Sequence, residues 1–293
     1  MQLSIEAGFA RFLESLAPDV GETLAATGHR RSLESCLEAS LDMEDCFQSG
    51  SFGNGTSISR YSDVDLFAVI PAEHLHHNST KALASVGEIL RRRFPKTGVR
   101  VACPAIKVPF GTALSEVHDV VPAWESGMRT VEGYPVYFIA DLKSGWMAAS
   151  PPAHNSFVRN ADEILAGQVK PLVRLIKAWK YYRNVNISSF YLELAIAQYS
   201  LEEPFIQYAR DILGVFRRLN DSTLSPIRDP MGVSGYIVAC ATPPQTANAR
   251  AAVSTALACA EKAVSAEDAG REKMAFSYWS RLYGSRFARL AYE

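Results

Sequence analysis

GSFGNGTSISRYSDVDLFAVI, residues 50–70, places a turn of small residues ahead of two carboxylates that alternate along an apolar run. The run from Asp63 to Ile70 is apolar enough to predict a buried strand. Because side chains alternate along a strand, Asp63 and Asp65 are predicted to share one face, with the intervening apolar side chains in the core.

These two carboxylates and the preceding turn indicate a site for phosphates and metal ions. Carboxylates on one face repel each other unless a cation lies between them. Hard oxygen ligands suit Mg²⁺ or Mn²⁺, and Mg²⁺ recruits substrate phosphates to its shell. Gly50 lets the backbone approach a phosphate closely, and Ser51 adds a hydroxyl at the start of a predicted short helix. Each motif alone is common, but their combination favours nucleotide binding over a solvated acidic turn.

A third carboxylate is predicted in a second strand-like run, residues 117–123, which reads VHDVVPA. Asp119 is the candidate, although an aspartate at this place could also cap a strand end. His118 is predicted to point to the opposite strand face, where packing is a better explanation than catalysis.

Two helical segments complete the pattern. Apolar residues recur at helical spacing from Leu172 to Tyr182 and predict one buried stripe. Lys177 falls beside the middle of that stripe, where a lysine is usually solvated, and Lys180 is the alternative if the helix is rotated. A further helix is predicted to start near Ser189.

Together these residues resemble the cGAS/DncV-like nucleotidyltransferases (CD-NTases), relatives of oligoadenylate synthase in the DNA polymerase β-like superfamily. A bacterial CdnE-like member is the expected subtype. Residues 172–179, LVRLIKAW, resemble the family helix whose lysine, here Lys177, reaches the triphosphate. Residues 189–194, SFYLEL, resemble the next helix start, whose serine, here Ser189, also touches phosphate. The resemblance spans residues 40 to 290.

The resemblance implies an α+β fold. Its core is a polymerase β-like small twisted mixed sheet with helices, which faces a helical C-terminal lobe across a central cleft. Further strands are predicted at 99–108, 117–121 and 136–140. The consecutive prolines Pro151-Pro152 suggest a boundary, giving a catalytic core with N-terminal helices at 1–150 and a helical nucleotide-binding lobe at 151–293.

Composition narrows the class of protein. The chain has 293 residues, with 48% hydrophobic and 21% charged, which is ordinary for a globular protein and favours a cytoplasmic enzyme. No basic leader is found in residues 1–13, and no membrane-spanning run is predicted. With 30 basic against 31 acidic residues, no broad basic groove and no nucleic-acid activator are expected.

The activity implied by the resemblance is metal-dependent joining of nucleoside triphosphates (ATP, UTP, GTP or CTP). The product would be a cyclic di- or trinucleotide second messenger, released with pyrophosphate and sensed by a downstream effector in antiphage (CBASS) defence. Two Mg²⁺ or Mn²⁺ ions would be held by Asp63, Asp65 and Asp119. Gly50, Ser51, Lys177 and Ser189 would bind the triphosphate.

Base preference and acceptor are less determined by the sequence. Asn155 and Asn160 follow the predicted boundary, and an amide can read uracil or adenine. A pyrimidine preference is the hypothesis, with helix capping as the alternative. Enzymes of the superfamily that act on a tRNA end, a protein or a small molecule would share the Gly-Ser and Asp-x-Asp motifs. A non-catalytic nucleotide-binding module is a third possibility.

Overall fold

The computed structural model describes residues 4–17, 20–61, 63–111 and 116–287. The first three residues of the predicted N-terminal segment lie outside the described residues. In chain order the helices and strands are α1 Ile5–Leu16, α2 Val20–Leu41, β1 Asp45–Gln48, α3 Gly50–Asn54, β2 Val64–Val69, α4 Ser79–Arg93, β3 Arg100–Ala102, β4 Ala105–Phe110, β5 Glu116–Arg129, β6 Pro135–Ala140, β7 Trp146–Ala149, α5 Pro151–Ile164, α6 Val169–Tyr182, α7 Ser189–Ser200, α8 Tyr208–Asp221, β8 Ile227–Arg228, β9 Tyr236–Ile237, α9 Pro243–Asp268 and α10 Glu272–Leu282.

The chain folds into two compact units. The sheet unit consists of the described residues of Pro18–Ser156 and Asp229–Gly235. The helical unit consists of the described residues of Met1–Ala17, Phe157–Arg228 and Tyr236–Glu293. The domain division at residue 150 stays a prediction.

The sheet unit is built on a seven-stranded mixed sheet. Its strands run in the order β1-β2-β5-β4-β3, with β6 paired to β5 and β7 to β6. Among the pairs, β2 and β5 are parallel and the others are antiparallel. The predicted α+β class with a small mixed sheet is confirmed.

One face of this sheet is covered by α2 and α4. The core there includes side chains from both helices and from β2, β4 and β5: Leu33, Leu37, Val64, Leu66, Leu83, Val86, Ile106, Val108 and Val120. The burial of Val64 and Leu66 confirms the predicted orientation of β2. Alternate residues of β2, Phe67 and Val69, pack on the opposite face with Tyr137. Asp65 of β2 therefore lies on the face away from α2 and α4.

The predicted strand at 99–108 is two strands instead of one. β3 and β4 pair antiparallel, and the chain reverses between Ala102 and Ala105. Pro104 lies in this reversal, where its missing N–H removes no ladder hydrogen bond. Because residues 99–108 are mostly apolar, the sequence prediction did not separate the two strands.

The helical unit has a core rich in aromatic side chains. Phe9 of α1 lies 5.1 Å from Trp279 of α10, and Phe12 lies 4.7 Å from Tyr283, measured between ring centroids. The alanine-rich stretch at 247–266 lies within α9. Within the described residues, no helix is both long enough and apolar enough to cross a bilayer.

A short loop is fixed within the sheet unit by one buried aspartate. Asp229 accepts hydrogen bonds from the backbone N–H groups of Met231 (2.9 Å), Val233 (3.0 Å) and Ser234 (2.7 Å). The Nε2 atom of His154, at the start of α5, lies 3.0 Å from both carboxylate oxygens. Burial raises the pKa of Asp229, but the hydrogen bonds from His154, Ser234 and Met231 outweigh it and lower the pKa to about 2.

Replacing Asp229 by Asn is expected to lower the free energy of unfolding by about 2 kcal/mol at neutral pH. Because the pKa is lower in the folded state, this contribution is present above the ordinary value of 3.8 and disappears as the pH falls towards about 2. Urea unfolding of both proteins across this range measures the effect. Asp221→Asn, at an exposed position, is the control, and a difference that persists unchanged at low pH would contradict the interpretation.

Candidate active site

Four charged side chains form a row across neighbouring strands of the sheet unit. Asp65 of β2 pairs with Asp119 of β5. Asp119 pairs with Lys107 of β4, and Lys107 pairs with Arg100 of β3. Directly paired residues share a sheet face, so these four residues form a charge row of two carboxylates beside two cations. The register thus brings together Asp65 and Asp119, which the sequence predicted as parts of one site.

Lys107 connects this row to Asp63. Its ammonium donates to Asp119 Oδ1 (2.9 Å) and Oδ2 (2.7 Å) and to Asp63 Oδ2 (2.9 Å). The Lys107 side chain is 24% exposed, against 15% for Asp119 and 41% for Asp63. Sequence reasoning missed Lys107, whose only signal is a single charged residue within the apolar strand β4.

Burial and the ion pair with Lys107 shift the pKa of Asp119 in opposite directions. Burial raises the pKa of its carboxyl, and the Lys107 ammonium reduces this rise without cancelling it. For Lys107, burial lowers the pKa, but hydrogen bonds to Asp119 and Asp63 outweigh it, so the pKa is raised overall. Lys107 therefore carries its positive charge at neutral pH.

The glycine-rich turn lies directly beside Asp65. Gly50 has a φ of +55°, and a Cβ at this position would overlap the Asp65 carboxylate. The N–H of Ser49 donates to the backbone oxygen of Asp65 (2.9 Å). The predicted short helix is α3, in which Ser51 is buried. Only glycine at position 50 allows the turn to pack this closely against Asp65.

The three carboxylates suit a divalent cation. They supply hard oxygen donors, and the position between Asp63 and Asp119 already accommodates a cationic ammonium. Across the described residues, however, no three His, Cys, Asp or Glu side chains converge closely enough to hold a metal ion. The Lys107 ammonium lies between the Asp63 and Asp119 carboxylates, 2.9 Å from Asp63 Oδ2 and 2.7 Å from Asp119 Oδ2.

The lysine predicted to contact triphosphate, Lys177, is buried in the helical unit. Its side chain is 0% exposed, and its ammonium donates to Glu193 Oε1 at 2.8 Å. Lys180 donates instead to the hydroxyl of Ser189, at 2.6 Å, at the start of α7. The structure therefore brings together Ser189 and the alternative lysine. The apolar stripe predicted for α6 is buried, with Leu172 and Trp179 near its two ends, but the burial extends beyond the stripe and includes Lys177.

The two asparagines considered for base selection lie five positions apart in α5. Helical geometry separates them by roughly 140° around the axis, so they do not share a face. Asn155 is half-buried in the sheet unit, near Gly53, whereas Asn160 is exposed in the helical unit. His118 is fully buried, with its ring centroid 5.4 Å from that of Phe110, which confirms the predicted packing role.

Two curated proteins are similar to this chain in sequence. A "Probable cyclic nucleotide synthase" of Bacillus cereus is 26% identical over 176 residues, 58% of this chain and 51% of that protein. The match thus spans about half the length of the Bacillus protein. A "Cyclic AMP-AMP-AMP synthase" of an Acinetobacter species is 24% identical over 270 residues, 84% of this chain and 73% of that protein. No protein-family profile matches the chain.

Solved structures show the same fold. A CdnC protein of E. coli, solved with ATP, has a TM-score of 0.75 at 20% identity, covering 96% of this chain and 98% of that one. A CdnE cyclic dinucleotide synthase of Elizabethkingia meningoseptica has a TM-score of 0.59 at 17% identity, covering 78% and 89%. The fold is that of the CD-NTases, and the CdnE-like subtype stays a prediction.

Gly50→Ala is expected to destabilise the protein by clearly more than Gly55→Ala. Both glycines have positive φ, which costs an alanine about 1 kcal/mol. Only at Gly50 does the new Cβ also overlap a side chain, that of Asp65, whereas Gly55 faces open space. Urea unfolding compares the two variants, and equal losses of unfolding free energy would contradict the packing of Asp65 on the turn.

Proposed function

We propose that this chain is a metal-dependent nucleotidyltransferase that joins nucleoside triphosphates into a cyclic di- or trinucleotide and releases pyrophosphate. The observation that carries the proposal is the strand register that places Asp65 beside Asp119, with Gly50 packed against Asp65. The sequence similarity to two cyclic nucleotide synthases supports the type of product.

Asp63, Asp65 and Asp119 are the proposed ligands of two Mg²⁺ or Mn²⁺ ions. When bound, such ions neutralise phosphate charge and make a hydroxyl easier to deprotonate. Asp119 would also help to deprotonate the acceptor hydroxyl. Gly50 and Ser51 would contact phosphate from the turn.

Lys180 and Ser189 are the proposed triphosphate residues of the helical unit. They are already joined by a hydrogen bond and are half-buried, so both stay accessible to a ligand. Lys177 has a different role in this proposal. Its buried ion pair with Glu193 holds α6 to α7, and its charge is needed for folding.

The substrates, the cellular location and the role of the product are proposed from the resemblance to the family. We propose ATP, UTP, GTP or CTP as substrates, a cytoplasmic location, and a product sensed by a downstream effector in antiphage defence. The E. coli CdnC structure with ATP is consistent with a nucleoside triphosphate substrate. A tRNA-end, protein or small-molecule acceptor gains no support from the curated relatives, which are named as cyclic nucleotide synthases.

Incubation of the purified chain with α-labelled nucleoside triphosphates, singly and in pairs, with Mg²⁺ or Mn²⁺, tests the proposal. Phosphatase treatment followed by chromatography is expected to reveal a resistant cyclic product. The variant Asp63→Asn/Asp65→Asn should make none, because the metal ligands are lost. A product that resists phosphatase but forms equally in this variant, or no product with any nucleotide pair, would contradict the proposed activity.

Two lysine variants in the same assay separate binding from folding. Lys180→Met should raise KM for the triphosphate roughly tenfold, because a charge-assisted bond to phosphate is lost, with little change in unfolding free energy. Lys177→Met should instead lower the unfolding free energy by roughly 3 kcal/mol, because the buried Glu193 carboxylate loses its ion pair with the Lys177 ammonium. If Lys177→Met raised KM while Lys180→Met changed only the unfolding free energy, Lys177 would be the lysine that binds the triphosphate.

A further inference from the structure

Lys107 lies between two of the three carboxylates that the proposed function assigns to metal ions. It is directly opposite Asp119 in the β4–β5 pair, and its side chain points to the same face. Its flanking residues in β4, Ile106 and Val108, are fully buried on the opposite face. The strand register therefore fixes where the Lys107 side chain emerges, and this position is independent of any bound ligand.

The contacts of Lys107 use the oxygens that a metal would need. Both oxygens of Asp119 accept from the ammonium, at 2.9 and 2.7 Å, and Asp63 Oδ2 accepts at 2.9 Å. An ammonium is a compact charge on a flexible stem, with three donors, and here all three bonds go to carboxylate oxygens. A divalent ion bound by Asp119 and Asp63 would have to displace at least part of this arrangement.

Charge balance explains why a cation is needed at this place. Asp63 and Asp119 bring two negative charges to the same ammonium, and neighbouring carboxylates repel each other without a cation between them. The Lys107 ammonium neutralises part of that charge from within the chain. Arg100, the next residue in the charge row, lies one strand further from the carboxylates and also favours the charged form of Asp119.

We propose that Lys107 is an internal counter-ion of Asp63 and Asp119, and that its ammonium must withdraw for a metal ion to bind these carboxylates. Lys107 is thus a positioning residue that competes with metal loading. The inference rests on the proposed function only in taking Asp63 and Asp119 as metal ligands.

Binding of Mn²⁺ to the full chain without nucleotide tests the proposal, with free Mn²⁺ measured by electron paramagnetic resonance at neutral pH. Lys107→Met is expected to bind Mn²⁺ roughly tenfold more tightly than the unmodified chain, because the competing positive charge is removed. Lys107→Arg keeps the charge and should stay close to the unmodified chain. Lys81→Met, which removes an exposed lysine of α4, is the matched control and should change nothing.

Thermal unfolding provides a second readout. In a chelator, Lys107→Met should unfold at a lower temperature than the unmodified chain, because the carboxylates then lack their counter-ion. Saturating Mn²⁺ should raise the unfolding temperature of Lys107→Met more than that of the unmodified chain. Lys107→Gln serves as the second uncharged variant if Lys107→Met does not fold.

The proposal is overturned if the uncharged variants bind Mn²⁺ with unchanged or weaker affinity, or if neither they nor the unmodified chain bind Mn²⁺. Failure of the proposed function is a separate result. If the chain makes no cyclic product but binds Mn²⁺ more tightly when Lys107 is uncharged, the proposed activity is refuted and the counter-ion role of Lys107 is supported. If the chain makes the product but the uncharged variants gain no Mn²⁺ affinity, the activity is supported and the counter-ion role is refuted.

Discussion

The parallel register of β2 and β5 is the constraint on which the site depends. It places Asp65 level with Asp119, and the antiparallel pairing of β4 adds Lys107 to the same row. Like charges so close together would destabilise a sheet unless a cation balanced them. The ammonium of Lys107 meets that requirement in the folded chain. The ion pairs of the folded chain and the proposed metal binding therefore both depend on the negative charges gathered on one sheet face.

The apolar face of the sheet maintains this register. Val64 and Leu66 of β2 and Val120 of β5 pack under α2 and α4. A slip of one residue between β2 and β5 would turn these side chains to the other face and the carboxylates into the core. The burial of apolar surface thus determines where the carboxylates lie. Gly50 adds a second restraint, since the turn packs directly on Asp65.

Residues of a single strand or turn were predictable from the sequence, whereas contacts between distant strands were not. The two-residue period of β2 gave the shared face of Asp63 and Asp65, and the small residues before it gave the turn. Lys107 could not be found this way, because its relation to Asp119 depends on the pairing of β4 with β5. The strand-like run at 117–123 indicated Asp119, and the strand register then placed it beside Asp65. For α6, the predicted apolar stripe is buried, but Lys177 beside it is buried as well, so the more accessible lysine of this helix is Lys180.

The proposed cation site of Asp63, Asp65 and Asp119, and the withdrawal of Lys107 from it, can be tested together by anomalous diffraction from crystals of the chain soaked in Mn²⁺. Mn²⁺ is expected to be ligated by these carboxylates, with the Lys107 ammonium withdrawn from Asp63 and Asp119. Mn²⁺ bound elsewhere, or Lys107 still bridging Asp63 and Asp119 beside a carboxylate-bound ion, would contradict this expectation.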